Sequence, residues 1–120
     1  MAAYRLSASA QADIIDILSW FHVRFGPVAR QRYESLLVSA LRDIASSPCR
    51  AGSMARLELG NHVRSWHIRL SIRSGTPDAA RVKHPRHFLI YRPEDTRIAV
   101  GRVLHDAMEL ARHVPPDTWE

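Results

Sequence analysis

The dipeptide Gly26-Pro27, set between two long amphipathic stretches, constrains this chain of 120 residues more than any other feature. Before it, Ala10, Ile14, Leu18, Phe21 and Phe25 recur at helical spacing, and Ile15, Ile17 and Trp20 widen the stripe. Ser7 and Ser9 are suited to cap the start. Gly26 can close this helix in a left-handed conformation, and Pro27 can open the next, where a missing N–H costs nothing. In the second helix Tyr33, Leu37, Ala40, Leu41 and Ile44 form the inner stripe, while Arg30, Arg32, Glu34, Arg42 and Asp43 lie mostly outside. Ser46-Ser47-Pro48 stops it. So short a joint leaves only an antiparallel helical hairpin. The width of the first stripe predicts contact with more than one layer.

Beyond a loop over residues 48–60 the period changes from helical to alternating. Trp66, Ile68, Leu70 and Ile72 point one way and His67, Arg69, Ser71 and Arg73 the other, the pattern of a half-buried strand with a charged outer face. Tyr4 and Leu6 alternate in a short first strand over residues 3–6. Gly75, Pro77 and Pro85 mark residues 74–85 as a long turn. Residues 87–91 are apolar at nearly every position, as a central strand requires. Pro93 pre-sets a tight turn, so the strand over residues 98–104 runs antiparallel to its predecessor. Residues 106–113 can form a last helical turn or two before Pro115-Pro116 and a tail carrying Trp119. The expected fold is one α+β domain over residues 1–120, in the order β-α-α-β-β-β plus a short C-terminal helix, with the helical hairpin packed on a small antiparallel sheet.

Lysine and arginine total 17 against 12 acids, a net charge of +5, and Lys83 is the only lysine. Arginine is the planar, bidentate donor for carboxylates and phosphates, so an acidic protein or a nucleic acid is the expected partner class. The single cysteine, Cys49, has no internal partner, which fits a reducing compartment. No apolar run approaches ~20 residues, so no membrane span is expected. The start, from Met1 to Leu6, lacks the apolar centre of a secretory signal, and a cytoplasmic protein is expected. His84, His87 and His113 lack zinc-like spacing with a cysteine or acid, so neither a metal nor a cofactor is expected.

Several segments resemble the ParE/RelE superfamily of toxins from bacterial type II toxin–antitoxin systems. They are Tyr4-Arg5-Leu6-Ser7 with Ala12-Asp13-Ile14, Arg32-Tyr33, Val63-Arg64-Ser65-Trp66, Phe88-Leu89-Ile90-Tyr91-Arg92 and Val100-Gly101-Arg102-Val103-Leu104-His105. The likeness spans nearly the whole chain and is closer to the ParE-like branch. It implies a toxin of the plasmid-stabilisation type that inhibits DNA gyrase by binding, with no catalytic residues. It also implies neutralisation, in a hetero-oligomer, by a ParD-like antitoxin carrying an acidic amphipathic helix. Residues 71–86 are longer than the family's usual connection before the third strand.

On that resemblance the candidate antitoxin contacts are Ile17, Trp20, Phe21, Trp66 and Ile68, with core packing as the plainer role for Trp66. Tryptophan is enriched in binding hot spots. The candidate target-binding basic face is Arg64, Arg69, Arg92, Arg102 and His105. An alternative is a RelE-like, ribosome-dependent mRNA endoribonuclease, in which Arg64, Arg92, Arg102 and His105 would carry the chemistry. Such an enzyme must activate a 2′-hydroxyl, hold developing phosphate charge and protonate a leaving oxygen. The lysines that RelE-like enzymes use are missing here. A histidine at a strand end also serves commonly to organise a turn, which is the plainer role for His105.

Overall fold

The computed structural model describes residues 3–73 and 75–120. The expectation about Met1 and Ala2, and the Ser74 position of the long turn, lie outside them. A short strand β1 (Tyr4–Leu6) leads into the helical hairpin, α1 (Ala8–Phe25) and α2 (Pro27–Ser46). Strands β2 (Met54–Ala55), β3 (Arg64–His67), β4 (His87–Pro93) and β5 (Ile98–His105) follow. The sheet has five strands in the order β1-β5-β4-β3-β2. No helix among the described residues is long and apolar enough to cross a membrane.

The hairpin forms as its sequence dictates. Ser7 Oγ accepts the Ala10 N–H at 3.0 Å, capping α1, and donates to the Gly101 carbonyl at 2.7 Å, which pins the start of the helix to β5. Gly26 sits at φ +90°, and its N–H closes α1 on the His22 carbonyl. A side chain at that φ would be strained, so the joint needs glycine. Leu18, Leu37, Ala40, Leu41 and Ile44 bury against Leu89, Tyr91, Val100 and Val103 of the sheet.

The sheet is mixed, where the sequence suggested an antiparallel one. β1 pairs parallel with β5, while every other pairing is antiparallel. Parity explains this. The hairpin returns the chain to the end of the sheet where β1 stopped, and β2 therefore runs back against β1. Three reversals later β5 runs with β1 again. β2 itself lies in the stretch expected to be loop.

Two further findings concern the faces of the sheet. The strand expected to continue beyond Trp66 ends at His67, and Ile68–Ser71 is a 3₁₀ turn. His67 Nδ1 accepts the Arg69 N–H at 3.2 Å and Trp66 Nε1 donates to Ser71 Oγ at 2.9 Å, so side-chain bonds fold the backbone over. Leu70 is thereby exposed, while Ile68 is buried. The helical turn expected within residues 106–113 forms as a 3₁₀ turn, Leu110–His113, and a second 3₁₀ turn, Pro116–Trp119, follows in the tail. These turns cover the sheet face opposite the helices, where Trp119 packs with Val63, Ile90, Ala99 and Leu104 in a second small core. A β-carbon on Gly101 would come within 2.7 Å of Thr118 Cγ2 and 2.9 Å of the Trp119 ring, so the glycine is what lets the tail lie flat.

Candidate functional site

The outer half of the α1 stripe remains after the core is filled. Ile17, Trp20, Phe21 and Phe25 fall on one helical face, and with Ala29, Arg32 and Tyr33 of α2 they wall a groove of about 910 Å³. The opposite wall comes from the long connection, Ala79, Arg81, Val82, Lys83, His84 and Arg86, with His87 from the start of β4 and His105 from the end of β5. Trp20 is 53% exposed and Phe25 59%. The aromatic rings brace one another. Phe21 stacks on Tyr33 at 4.1 Å, and Trp20 meets Phe21 and Phe25 edge-on at 5.1 and 5.7 Å.

A polar cluster forms where α2 meets the sheet. Tyr33 Oη lies 2.5 Å from His87 Nδ1 and accepts the Arg86 backbone N–H at 3.2 Å. Burial pushes the Tyr33 phenol up to about 12. Burial, aided by the neighbouring His105 ring, pushes His87 down to about 4. The His87 and His105 rings meet edge-on at 5.4 Å. Below them Asp106 accepts from His67 Nε2 at 2.9 Å and pairs with Arg86 at 2.9 Å. Burial alone would raise the Asp106 carboxyl, but its bonds from His67 and Arg86 outweigh that and hold it below the usual range.

Of the candidate antitoxin contacts, Ile17, Trp20 and Phe21 come together in this groove. Trp66 and Ile68 lie in the main core, 3% and 0% exposed. The basic-face residues each have separate contacts. Arg64 holds Ser53 through its Oγ and carbonyl, and Arg92 lies 4.4 Å above the Trp119 ring. Arg69 sits exposed in the 3₁₀ turn, and His105 lines the groove.

Arg102 is spent on structure: Nε and Nη2 grip both oxygens of Asp13 at 2.7 and 2.9 Å, and Nη1 donates to the His113 carbonyl at 2.7 Å. The same carboxylate accepts the Val103 N–H at 3.0 Å. β1 ends at Leu6, opposite Val100, so Asp13 takes the place of a further strand residue along the edge of β5.

The sequence puts Tyr33 on the inner stripe of α2 and His87 at the start of a central strand, and gives Arg81, Lys83 and Arg86 no role. The excess width of the α1 stripe was the one sequence signal for the groove. Among the described residues no three His, Cys, Asp or Glu side chains are placed to hold a metal ion.

The fold is that of a known toxin–antitoxin component. A chain of the solved chromosomal ParDE TA system from P. aeruginosa superimposes with a TM-score of 0.64 at 13% identity, over 88% of this chain and 96% of that one. The model of the family described as ParE toxin of type II toxin-antitoxin system, parDE, matches residues 4–110, and this chain therefore belongs to that family. No curated protein matches it.

Proposed function

We propose that the chain acts in the cytoplasm as a toxin that inhibits DNA gyrase by binding, without chemistry of its own. A ParD-like antitoxin neutralises it by laying an amphipathic helix in the α1–α2 groove. The groove carries the reading: a cleft of about 910 Å³ whose apolar wall leaves Trp20 and Phe25 more than half exposed. Exposed aromatic residues rimmed by charge are characteristic of interfaces, and a helix seated in an apolar groove is a standard recognition mode.

The placement of the arginines also favours binding over ribonuclease chemistry. A ribonuclease would need Arg64, Arg92, Arg102 and His105 around one phosphate. Here Arg102 is committed to Asp13 and Arg92 to Trp119.

A supercoiling assay with purified toxin and gyrase tests the target. Supercoiling should fall with toxin and recover when antitoxin is added in equal amount. Unchanged supercoiling at doses that stop growth, with transcripts cut in the ribosome, would replace this reading with the ribonuclease.

A further inference from the structure

Two of the three imidazoles that line the groove, those of His87 and His105, are held in the same tautomer. Tyr33 Oη accepts the Arg86 N–H, and its one proton has no acceptor within reach among the described residues other than His87 Nδ1, so it donates there. Burial keeps the phenol protonated and the His87 ring neutral, and that ring carries its own proton on Nε2. His105 Nδ1 accepts the Ala107 backbone N–H at 3.0 Å. An amide can only donate, so His105 Nδ1 offers its lone pair in this bond and the ring carries its proton on Nε2. Neither Nε2 has a hydrogen-bond partner among the described residues. A ring fixed this way offers an N–H and no lone pair, so the pair is built to donate and not to shuttle protons.

The surroundings select the acceptor. Arg32, Arg81 and Lys83 line the groove against Asp16, while Arg86 is paired with Asp106, whose carboxylate also lies 3.7 Å from His105 Nδ1. Arg81 Nε is buried with no partner among the described residues. The acceptor is therefore anionic, and the apolar wall beside it requires that the anion be attached to an apolar body. Bases of a nucleic acid would need free ring faces on which to stack. Phe21 already stacks on Tyr33, and Trp20 has Phe21 and Phe25 against it and the Arg24 guanidinium 5.8 Å over its ring.

We propose that His87 and His105 form a carboxylate receptor where β4 and β5 meet the groove, filled by an aspartate or glutamate on the apolar-faced helix of the antitoxin. The occupant rests on the antitoxin reading given above; the receptor rests on the tautomers and the charge of the groove.

The test uses the full chain and two probes that differ only in charge, 4-phenylbutyrate and 4-phenylbutyramide, followed by NMR of the histidine rings. The acid should shift the His87 and His105 ring signals saturably, with the amide about tenfold weaker. His105→Leu should weaken antitoxin binding about tenfold, and His105→Gln, which keeps a side-chain N–H, should restore most of it. Equal binding of acid and amide overturns the receptor. So does a His105→Leu complex as tight as the wild type. Displacement of phenylbutyrate by a short single-stranded RNA, with the ring signals moving to RNA-bound positions, overturns it in favour of a nucleic-acid site. A wild-type chain that binds phenylbutyrate at both rings but no antitoxin supports the receptor and refutes the antitoxin reading alone.

Discussion

Arg102→Ala should unfold this protein more easily before it alters any activity. The side chain makes three charge-assisted hydrogen bonds, two to Asp13 and one to the His113 carbonyl, so it ties α1 and the C-terminal tail to β5. Side-chain exposures of 23% for Arg102 and 15% for Asp13 place the pair between the surface and the interior. Exposed pairs contribute about 0–1 kcal/mol, whereas stripping one partner from a buried pair costs about 3–5 kcal/mol. The truncation leaves Asp13 with only the Val103 N–H, so a loss of about 3 kcal/mol follows, a large share of the 5–15 kcal/mol of a small domain.

Urea unfolding followed by far-UV circular dichroism measures the loss, provided the slope of the transition is unchanged. Adding Asp13→Ala should cost much less than the sum of the two single changes, with a coupling of about 2 kcal/mol. The ribonuclease reading predicts instead that Arg102→Ala abolishes cleavage with the fold intact. An Arg102→Ala protein as stable as the wild type, or single changes that add, would refute the structural assignment.

Acid should destabilise the fold through His87. Its folded-state value is about 4 against an ordinary 6.5, so the unfolded chain takes up this proton first as pH falls. The contribution is therefore whole above pH 6.5, is lost between 6.5 and about 4, and amounts to about 3 kcal/mol. His87→Leu should flatten that part of the stability–pH curve in urea unfolding. Gly101→Ala should lift the tail, because its β-carbon meets Thr118 and Trp119 at under 3 Å, and should cost about 1–3 kcal/mol in thermal unfolding with NMR shifts concentrated in residues 114–120. Trp20→Ala should change stability by under about 1 kcal/mol yet weaken antitoxin binding by at least about 2 kcal/mol in calorimetry, while Trp66→Ala costs about 3–5 kcal/mol of stability.

The hairpin was legible because local physics specifies it: helical stripes, a serine cap, and a glycine–proline joint that admits one geometry. The central strands were legible from their apolar runs. The end of β3 was not, since alternation continues to Ile72 while the hydrogen bonds of His67 and Trp66 to the next residues bend the chain at Ile68. The parallel pairing of β1 is a property of the whole path, and the tail over the second face depends on Gly101 meeting Trp119 across 18 positions of sequence.

Within the groove, Ile17, Trp20 and Phe21 could be picked out because α1 carries more apolar surface than one core contact uses. Tyr33, the adjacent Arg86 and His87, and His105 come from three separate stretches, and only their tertiary meeting gives them a shared role. Arg102 misled in the same way. Its charge is visible in the sequence, but its partner Asp13 lies in another element.

Hydrogen exchange on the toxin, alone and saturated with its antitoxin, probes the groove most directly. Partner binding there predicts new protection in residues 17–25 of α1 and in residues 79–87, with the exposed backbone of β2 contributing at most a second, smaller patch. Protection confined to β2 or to the tail, with residues 17–25 exchanging as in the free protein, would contradict it.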